Sequence, residues 1–492
     1  MANGIGGDPD LHVGTSRGRW VIAVTVLGSG IAFLDSTVVN TALPAIAADL
    51  DSSLADLQWV LTGYLLTLGS LLVVGGSVGD LFGRRRVFIV GLLGFAGSSL
   101  LCGLAPTNAT LIGARCFQGI AAALLVPGSL AIISASFCAE DRGRAIGAWS
   151  GLAGVAAGIG PFLGGWLIDS VSWRWVFWIN IPVVVLTVAL ALRHVPETRD
   201  RDADGRVDIV GGSVLAVGLG GIVYALIEGP TGGWTSAEIA FGVAGLLAIA
   251  AFLKVESVSS HPMVPLAIFR SHQFSGANLV TLVVYAAFGA STFLLVVHLQ
   301  TDLGYSALEA GASLLPITVL MLLFSARAGE VAQQIGPRIP MTIGPAVVGA
   351  GMALLALAEP GTSYWAGVLP GTFVLAVGLT ITVAPLTATV LAAVDDHHAG
   401  VGSAINNAVA RVGGLLAIAV LPAAAGLAGA NGGLDLDAGF GRAMIFSGAL
   451  AALGSAVAWF TISRCVPVRE IVIGTPAIVC GPAALAETEE AA

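Results

Sequence analysis

The chain has 492 residues, 56% apolar and only 10% charged, with a mean hydropathy of +0.91. Soluble domains carry about 25% charged residues, so soluble, disordered, collagen-like and disulfide-scaffold classes are excluded. The formal charge of −9, from 21 Lys+Arg against 30 Asp+Glu, argues against nucleic acid, which wants basic patches.

The polar segment 1–19 ends with Arg17 and Arg19 beside an apolar run that opens at Trp20. That run is long enough to be a retained first span and not a cleaved signal peptide. Breaking the later apolar runs at Pro, Gly, Asn and charge clusters predicts fourteen spans. They lie at 20–41, 54–78, 87–105, 110–134, 145–168, 175–192, 209–228, 237–253, 275–299, 306–327, 339–358, 364–390, 401–428 and 442–463. Ser306 and Glu309 have capping-box spacing at the start of span 10. The runs are too long for barrel strands and lack strict alternation. Cys102, Cys116, Cys138, Cys465 and Cys480 show no C-x-x-C spacing and read as small buried hydrophobes, with neither disulfide nor zinc expected.

The distribution of Lys and Arg tests the span count. With the N-terminus in the cytoplasm, seventeen of the 21 fall in cytoplasmic segments, and only Arg174 and Arg442 fall outside. Arg115 and Arg411 lie within spans. On this topology the outer segments carry a net −9, the inner ones −1 and the spans +1. Gly76, Asp80 and Gly83 after span 2 share their spacing with Gly329, Gln333 and Gly336 after span 10. That internal echo implies a duplicated bundle. The predicted fold is an all-α integral membrane protein, with six-helix bundles over 20–192 and 273–463. Two extra spans lie in a linker over 193–272, and a cytoplasmic tail covers 464–492.

Five motifs in order carry a family resemblance. They are Leu34-Asp35-Ser-Thr-Val-Val-Asn40-Thr-Ala-Leu-Pro44, Gly76-Ser-Val-Gly-Asp80-Leu-Phe-Gly83-Arg84-Arg85-Arg86 and Arg115-Cys-Phe-Gln118-Gly119. Gly160-Pro161-Phe-Leu-Gly164-Gly165 and Trp173-Arg174-Trp175-Val-Phe177-Trp-Ile-Asn180-Ile-Pro182 follow. Together they resemble the fourteen-span drug:proton antiporter branch of the major facilitator superfamily, over about 20–465. One departure is Leu81, where the family often has a basic residue. The resemblance implies export of lipophilic compounds in exchange for inward-moving protons.

Asp35 is the one carboxylate deep within a span, where a charge costs at least ~2.5–3.5 kcal/mol, so a proton or cation role is expected. Arg115 is equally costly and cannot deprotonate; it must find a carboxylate, carbonyls or water, and the resemblance links it to proton transfer. Asn40, Tyr64, Gln118, Asn406, Asn407 and Arg411 are candidates to line a cavity, with a helix–helix contact as the alternative for those on span 13. On span 5, Gly154, Gly158, Gly160, Pro161, Gly164 and Gly165 combine small-xxx-small spacing with a proline that frees a carbonyl. A tight but bendable contact follows. Arg84, Arg85 and Arg86 anchor topology, and Gly76 and Gly83 permit a tight turn beside Asp80. The resemblance points to a cytoplasmic latch in which Asp80 caps span 13 near Gly400–Ser403. Asp395-Asp396-His397-His398 reads as a solvated loop and not a metal site.

No nucleophile–base set lies in the spans, so no enzyme is expected. No P-loop occurs and Lys254 is the single lysine, which excludes an ATP-driven pump. A passive channel or a proton symporter for a small nutrient is the competing transport class. Two repeated halves favour alternating access, and the resemblance of span 5 favours antiport. With Asp35 as the sole available acid, a neutral or monocationic lipophile is the expected substrate. No cofactor or nucleic acid is expected. Protons, the bilayer and the substrate are the expected partners of a monomer, with a periplasmic adaptor if the host has an outer membrane.

Overall fold

A computed structural model describes residues 11–199, 207–259, 262–395, 399–427, 436–464, 466–468 and 477–479. Fourteen helices in it are long and apolar enough to cross a membrane. Spans 1 to 6 are Ser16–Leu50, Leu54–Phe82, Arg84–Leu104, Asn108–Ser136, Glu140–Ser170 and Trp175–His194. Spans 7 and 8 are Ile209–Pro230 and Ser236–Val258. Spans 9 to 14 are His272–Thr301, Ala307–Ile335, Arg338–Leu355, Tyr364–Ala392, Gly400–Ala424 and Gly439–Thr461. Helices are the outcome because a lipid solvent offers nothing to the backbone, so each segment must pair its own N–H and C=O groups.

Local chemistry sets the ends. Ser53 with Asp56, Thr107 with Thr110, Thr235 with Glu238, and Ser306 with Glu309 form capping boxes. Several helices overrun the predicted limits. Span 1 continues through Pro44 to Leu50, beyond the expected end at 41. A proline interrupts one ladder bond, and packing on a neighbour holds the helix together across it. Span 10 breaks between Ala312 and Leu315, with Pro316 in the first turn of its second segment. The tail departs from helix in a short antiparallel ribbon that pairs Val466–Val468 with Ala477–Val479.

The repeat is visible in which helices touch. In the first half, span 1 packs on 4, 5 and 6, span 2 on 4, and span 3 on 4 and 6. In the second, span 9 packs on 12, 13 and 14, span 10 on 12, and span 11 on 12 and 14. Every pair has its mate eight spans later. The halves meet along two seams, span 2 against 13 and span 5 against 10, with span 1 touching span 9 between them. Spans 7 and 8 pair with each other, and span 7 leans on both 2 and 13.

The N-terminal segment is fastened to the turn between spans 4 and 5. The Leu11 N–H donates to the Ser136 carbonyl at 3.1 Å, and the Cys138 N–H donates back to Leu11 at 3.2 Å. His12, Cys138 and Asp141 converge there, with His12 Nδ1 3.2 Å from Asp141 and 3.3 Å from Cys138 Sγ. Their ligand atoms lie within 4.8 Å of one another, a grouping that sequence spacing did not reveal. The Val13 N–H also donates to Asp141 at 3.1 Å, and Arg144 Nη1 donates to its other oxygen at 3.4 Å.

Candidate functional site

Five spans build a sealed polar network inside the first half. Asp35 on span 1 is fully buried and ion-paired with Arg115 of span 4, itself 1% exposed. Gln118, one turn further along span 4, bridges the pair. Its Oε1 accepts from Arg115 Nη1 at 2.6 Å, and its Nε2 donates to Asp35 at 2.9 Å and to Ser99 Oγ at 2.9 Å. Asn180 Nδ2 on span 6 also reaches Asp35, at 3.2 Å, and Ser99, at 3.3 Å. Arg115 Nε donates to the Val60 carbonyl of span 2 at 3.1 Å. Its guanidinium lies 4.4 Å from the centre of the Tyr64 ring. The Tyr64 hydroxyl in turn donates to the Ala32 carbonyl at 3.0 Å.

This arrangement offsets the cost of two charges in the membrane interior. Each is matched by the other, and Arg115 Nε and Asp35 Oδ1 bond to neutral groups as well. Tyr64 and Gln118, expected to border a cavity, have no exposed surface and serve instead as walls of the ion pair. Ser99, Cys102 and Asn180 complete the site. Asn180 was legible only as part of a motif at the start of span 6.

Span 5 forms a second closely packed surface. Gly160 and Gly164 face span 1: an added β-carbon would lie 2.2 Å from Thr37 Oγ1 and 2.4 Å from Val38 Cγ2. Gly158 and Gly165 face span 10, where the same atom would lie 2.1 Å from Thr318 Oγ1 and 2.3 Å from the Ala307 carbonyl. Span 10 answers with Gly311, whose β-carbon would meet the Pro161 carbonyl at 2.1 Å. A larger residue would displace backbone at Gly165 and Gly311, and would push first on the side chains of Thr318, Thr37 and Val38 at Gly158, Gly160 and Gly164. Pro161 denies the Ala157 carbonyl its helical donor, and Thr37 Oγ1 supplies one at 2.8 Å. Asp169, at the end of span 5, accepts from the Ala307 and Leu308 N–H groups at 3.2 and 2.9 Å, capping span 10 across the seam. Gln300 donates to the Thr41 carbonyl at 3.1 Å near the same end.

Residues 25–418 match the Major Facilitator Superfamily. The chain belongs to the Major Facilitator Superfamily. It is 36% identical over 410 residues to the puromycin resistance protein pur8 of Streptomyces alboniger, covering 82% of this chain and 81% of that one. It is 35% identical over 416 residues to the tetracenomycin C resistance and export protein of Streptomyces glaucescens, covering 82% and 76%. Its fold is similar to the crystal structure of a D-xylose-proton symporter, with TM-score 0.64 and 14% identity, over 91% of this chain and 99% of that one.

Elsewhere this superfamily member departs from its sequence motifs. Asp80 does not cap span 13 here. Its Oδ1 accepts from Arg84 Nε at 2.7 Å, and an added β-carbon at Gly400 would meet nothing within 4 Å. The nearer cation, at the start of span 3 just past the Gly83 turn, has captured the carboxylate. Gly76 packs towards Pro127, and Arg85 turns to Glu197 and the Val195 carbonyl. Gly83 and Gly336, repeat equivalents, have φ of +106° and +82°, the left-handed region that favours glycine. Gly147, Gly151 and Gly154 approach no other atom, so the small-xxx-small spacing there closes no contact in this state.

On span 13 the candidates divide. Asn406 is a packing residue, with Nδ2 donating to Asn278 Oδ1 at 3.1 Å and Thr281 Oγ1 at 2.7 Å of span 9. Asn407 donates back to Ser403 of its own helix. Arg411 is half-buried and sits 5.4 Å from the Phe33 ring centre. Asn40 is half-buried on span 1. His298 is buried, bonded to Asp302 and the Ala358 carbonyl, and stacked on Phe440. His397 and His398 lie outside the described residues. A groove of about 460 Å³ between spans 10, 11 and 12 is lined by Phe324, Arg327, Val331, Ile343 and Thr380 among others, and shares no residue with the Asp35 network.

Proposed function

We propose that this transporter is a proton-coupled antiporter that exports lipophilic compounds from the cytoplasm by alternating access, its two halves (20–192 and 273–463) moving about the central seams. The observation that carries this reading is the buried Asp35–Arg115 pair beside the span 5 seam. A proton arriving on Asp35 cancels the charge that holds Arg115, Gln118 and Asn180 in place. Thr37 and Val38, on the next residues of span 1, pack on Ala157, Gly160 and Gly164 of span 5. A change at Asp35 thus reaches span 5 within one helical turn, and span 5 meets the other half through Gly158 and Gly165 against span 10. The named activities of the two relatives, puromycin resistance and tetracenomycin C resistance and export, support export.

Both termini are taken as cytoplasmic in a cell (inner or plasma) membrane, from the Lys and Arg distribution. On that orientation the clasp made by Asp169 and Gln300 lies outside, the disengaged Asp80 lies inside, and the state is inward-facing. The protein works as a monomer, joined by a periplasmic adaptor only where the host has an outer membrane. Its work is transport driven by the proton gradient and not catalysis.

The test is substrate-induced proton release from acid-loaded vesicles. Wild type releases protons when substrate is added, and Asp35→Asn, folded and inserted, does not. Full proton-driven efflux by Asp35→Asn overturns the assignment.

A further inference from the structure

The spans hold three deep charges, and the pairing of Asp35 with Arg115 cancels two of them. Arg411 is left. It stands midway along span 13, and among the described residues no carboxylate or hydrogen-bond acceptor is paired with it; its contact is the face of Phe33 on span 1. A cation–π contact touches one face of a guanidinium and leaves its fork of N–H donors unmet.

Gly69 on span 2 lies against the Arg411 stem, where an added β-carbon would be 3.3 Å from Arg411 Cβ. Span 9 runs beside span 13 at this level, where an added β-carbon at Gly414 would be 3.9 Å from the Tyr285 carbonyl. Spans 1, 2 and 13 therefore meet at one cation on the line between the halves, with span 9 packed on span 13 beside it. That is where an occupant must bind to be passed from one side to the other.

We propose that Arg411 is the recognition cation for an acidic lipophile: an aromatic or fused-ring molecule bearing a carboxylate, phenolate, enolate or comparable anion. The inference rests on the export reading and replaces the expectation of a neutral or monocationic substrate. That expectation needed Asp35 to be free, and Arg115 holds it. A cationic occupant meets an unbalanced like charge; an anionic one supplies the missing acceptor to a planar fork of donors. The apolar part of the occupant packs on Phe33.

The full-length protein is reconstituted in acid-interior liposomes and offered three probes. These are 1-anilinonaphthalene-8-sulfonate, its uncharged skeleton N-phenyl-1-naphthylamine, and the cation ethidium. Protein-free liposomes give the lipid background. Wild type is expected to prefer the sulfonate to the neutral probe. Arg411→Gln should lower that preference by about tenfold, and Arg411→Lys should restore part of it. An unchanged preference in Arg411→Gln, or a wild-type preference for ethidium, overturns the proposal. Where a variant does not fold, the three-probe ranking of wild type decides alone. Proton counterflow with the neutral probe but no anion preference sinks this inference and leaves antiport standing. Anion preference without proton counterflow does the reverse.

Discussion

At the residue scale, the molecule turns on how it keeps two opposite charges dry. Asp35 and Arg115 were legible in the sequence because a charge in an apolar span is expensive and must have a reason. Their companions were not. Ser99 and Cys102 belong to residue types that often satisfy themselves within their own helix, so their presence in span 3 signals nothing. Asn180 was visible, but as part of a tryptophan-rich motif near a helix start. The pairing makes a sharp energetic prediction. Arg115→Met leaves a buried carboxylate unpaired and should cost ~3–5 kcal/mol of stability. The double variant Asp35→Asn/Arg115→Met should recover most of that loss, because no charge is then stranded. Thermal unfolding of the detergent-purified proteins measures both, and equal destabilisation of single and double variants would refute the account.

At the element scale, span 5 shows what a motif can and cannot announce. Gly158, Gly160, Gly164 and Gly165 are used as their spacing implied, on two different neighbours. Gly147, Gly151 and Gly154 have the same spacing and touch nothing here. Spacing marks a smooth face; only the partner's position decides whether it is covered. The Thr37 hydroxyl is the less visible half of the same device, since it completes a carbonyl that Pro161 strands. Thr37→Val should therefore lower stability by ~1–2 kcal/mol in the wild-type background. In a Pro161→Ala background, where the helix regains its own donor, the same change should cost distinctly less. A double-mutant cycle on melting midpoints reads the difference, and additivity of the two changes would argue against the pairing.

At the scale of the whole molecule, nearly all of the architecture was in the sequence. Hydropathy gave the fourteen spans, and the repeated Gly-x-x-x-Asp/Gln-x-x-Gly spacing gave the duplication that the helix contacts display. What the sequence did not contain was the state. Asp80 sits in a motif read as a latch, yet it is held by Arg84, while Asp169, counted only as an outer acid, clasps span 10. Paired spin labels at Val171 and Glu309 should report a short distance, and labels at Phe82 and Gly400 a long one. Asp169→Ala should lengthen the first distance and shorten the second as the population moves to the opposite state. Movement of both distances in the same direction would contradict a rocking molecule.

The two seams are not equal in what lies over them. Span 7 rests on span 2 of one half and span 13 of the other, whereas the seam of spans 5 and 10 carries no such cover among the described residues. The molecule is bound like a book, with spans 2, 7 and 13 as its spine and spans 5 and 10 as its fore-edge. A bare fore-edge swings through a wider arc than a backed spine for the same turn of the halves. For halves that rock as proposed, the glycines of span 5 stand on the edge that travels furthest, where a smooth surface is needed and a fixed one suffices behind.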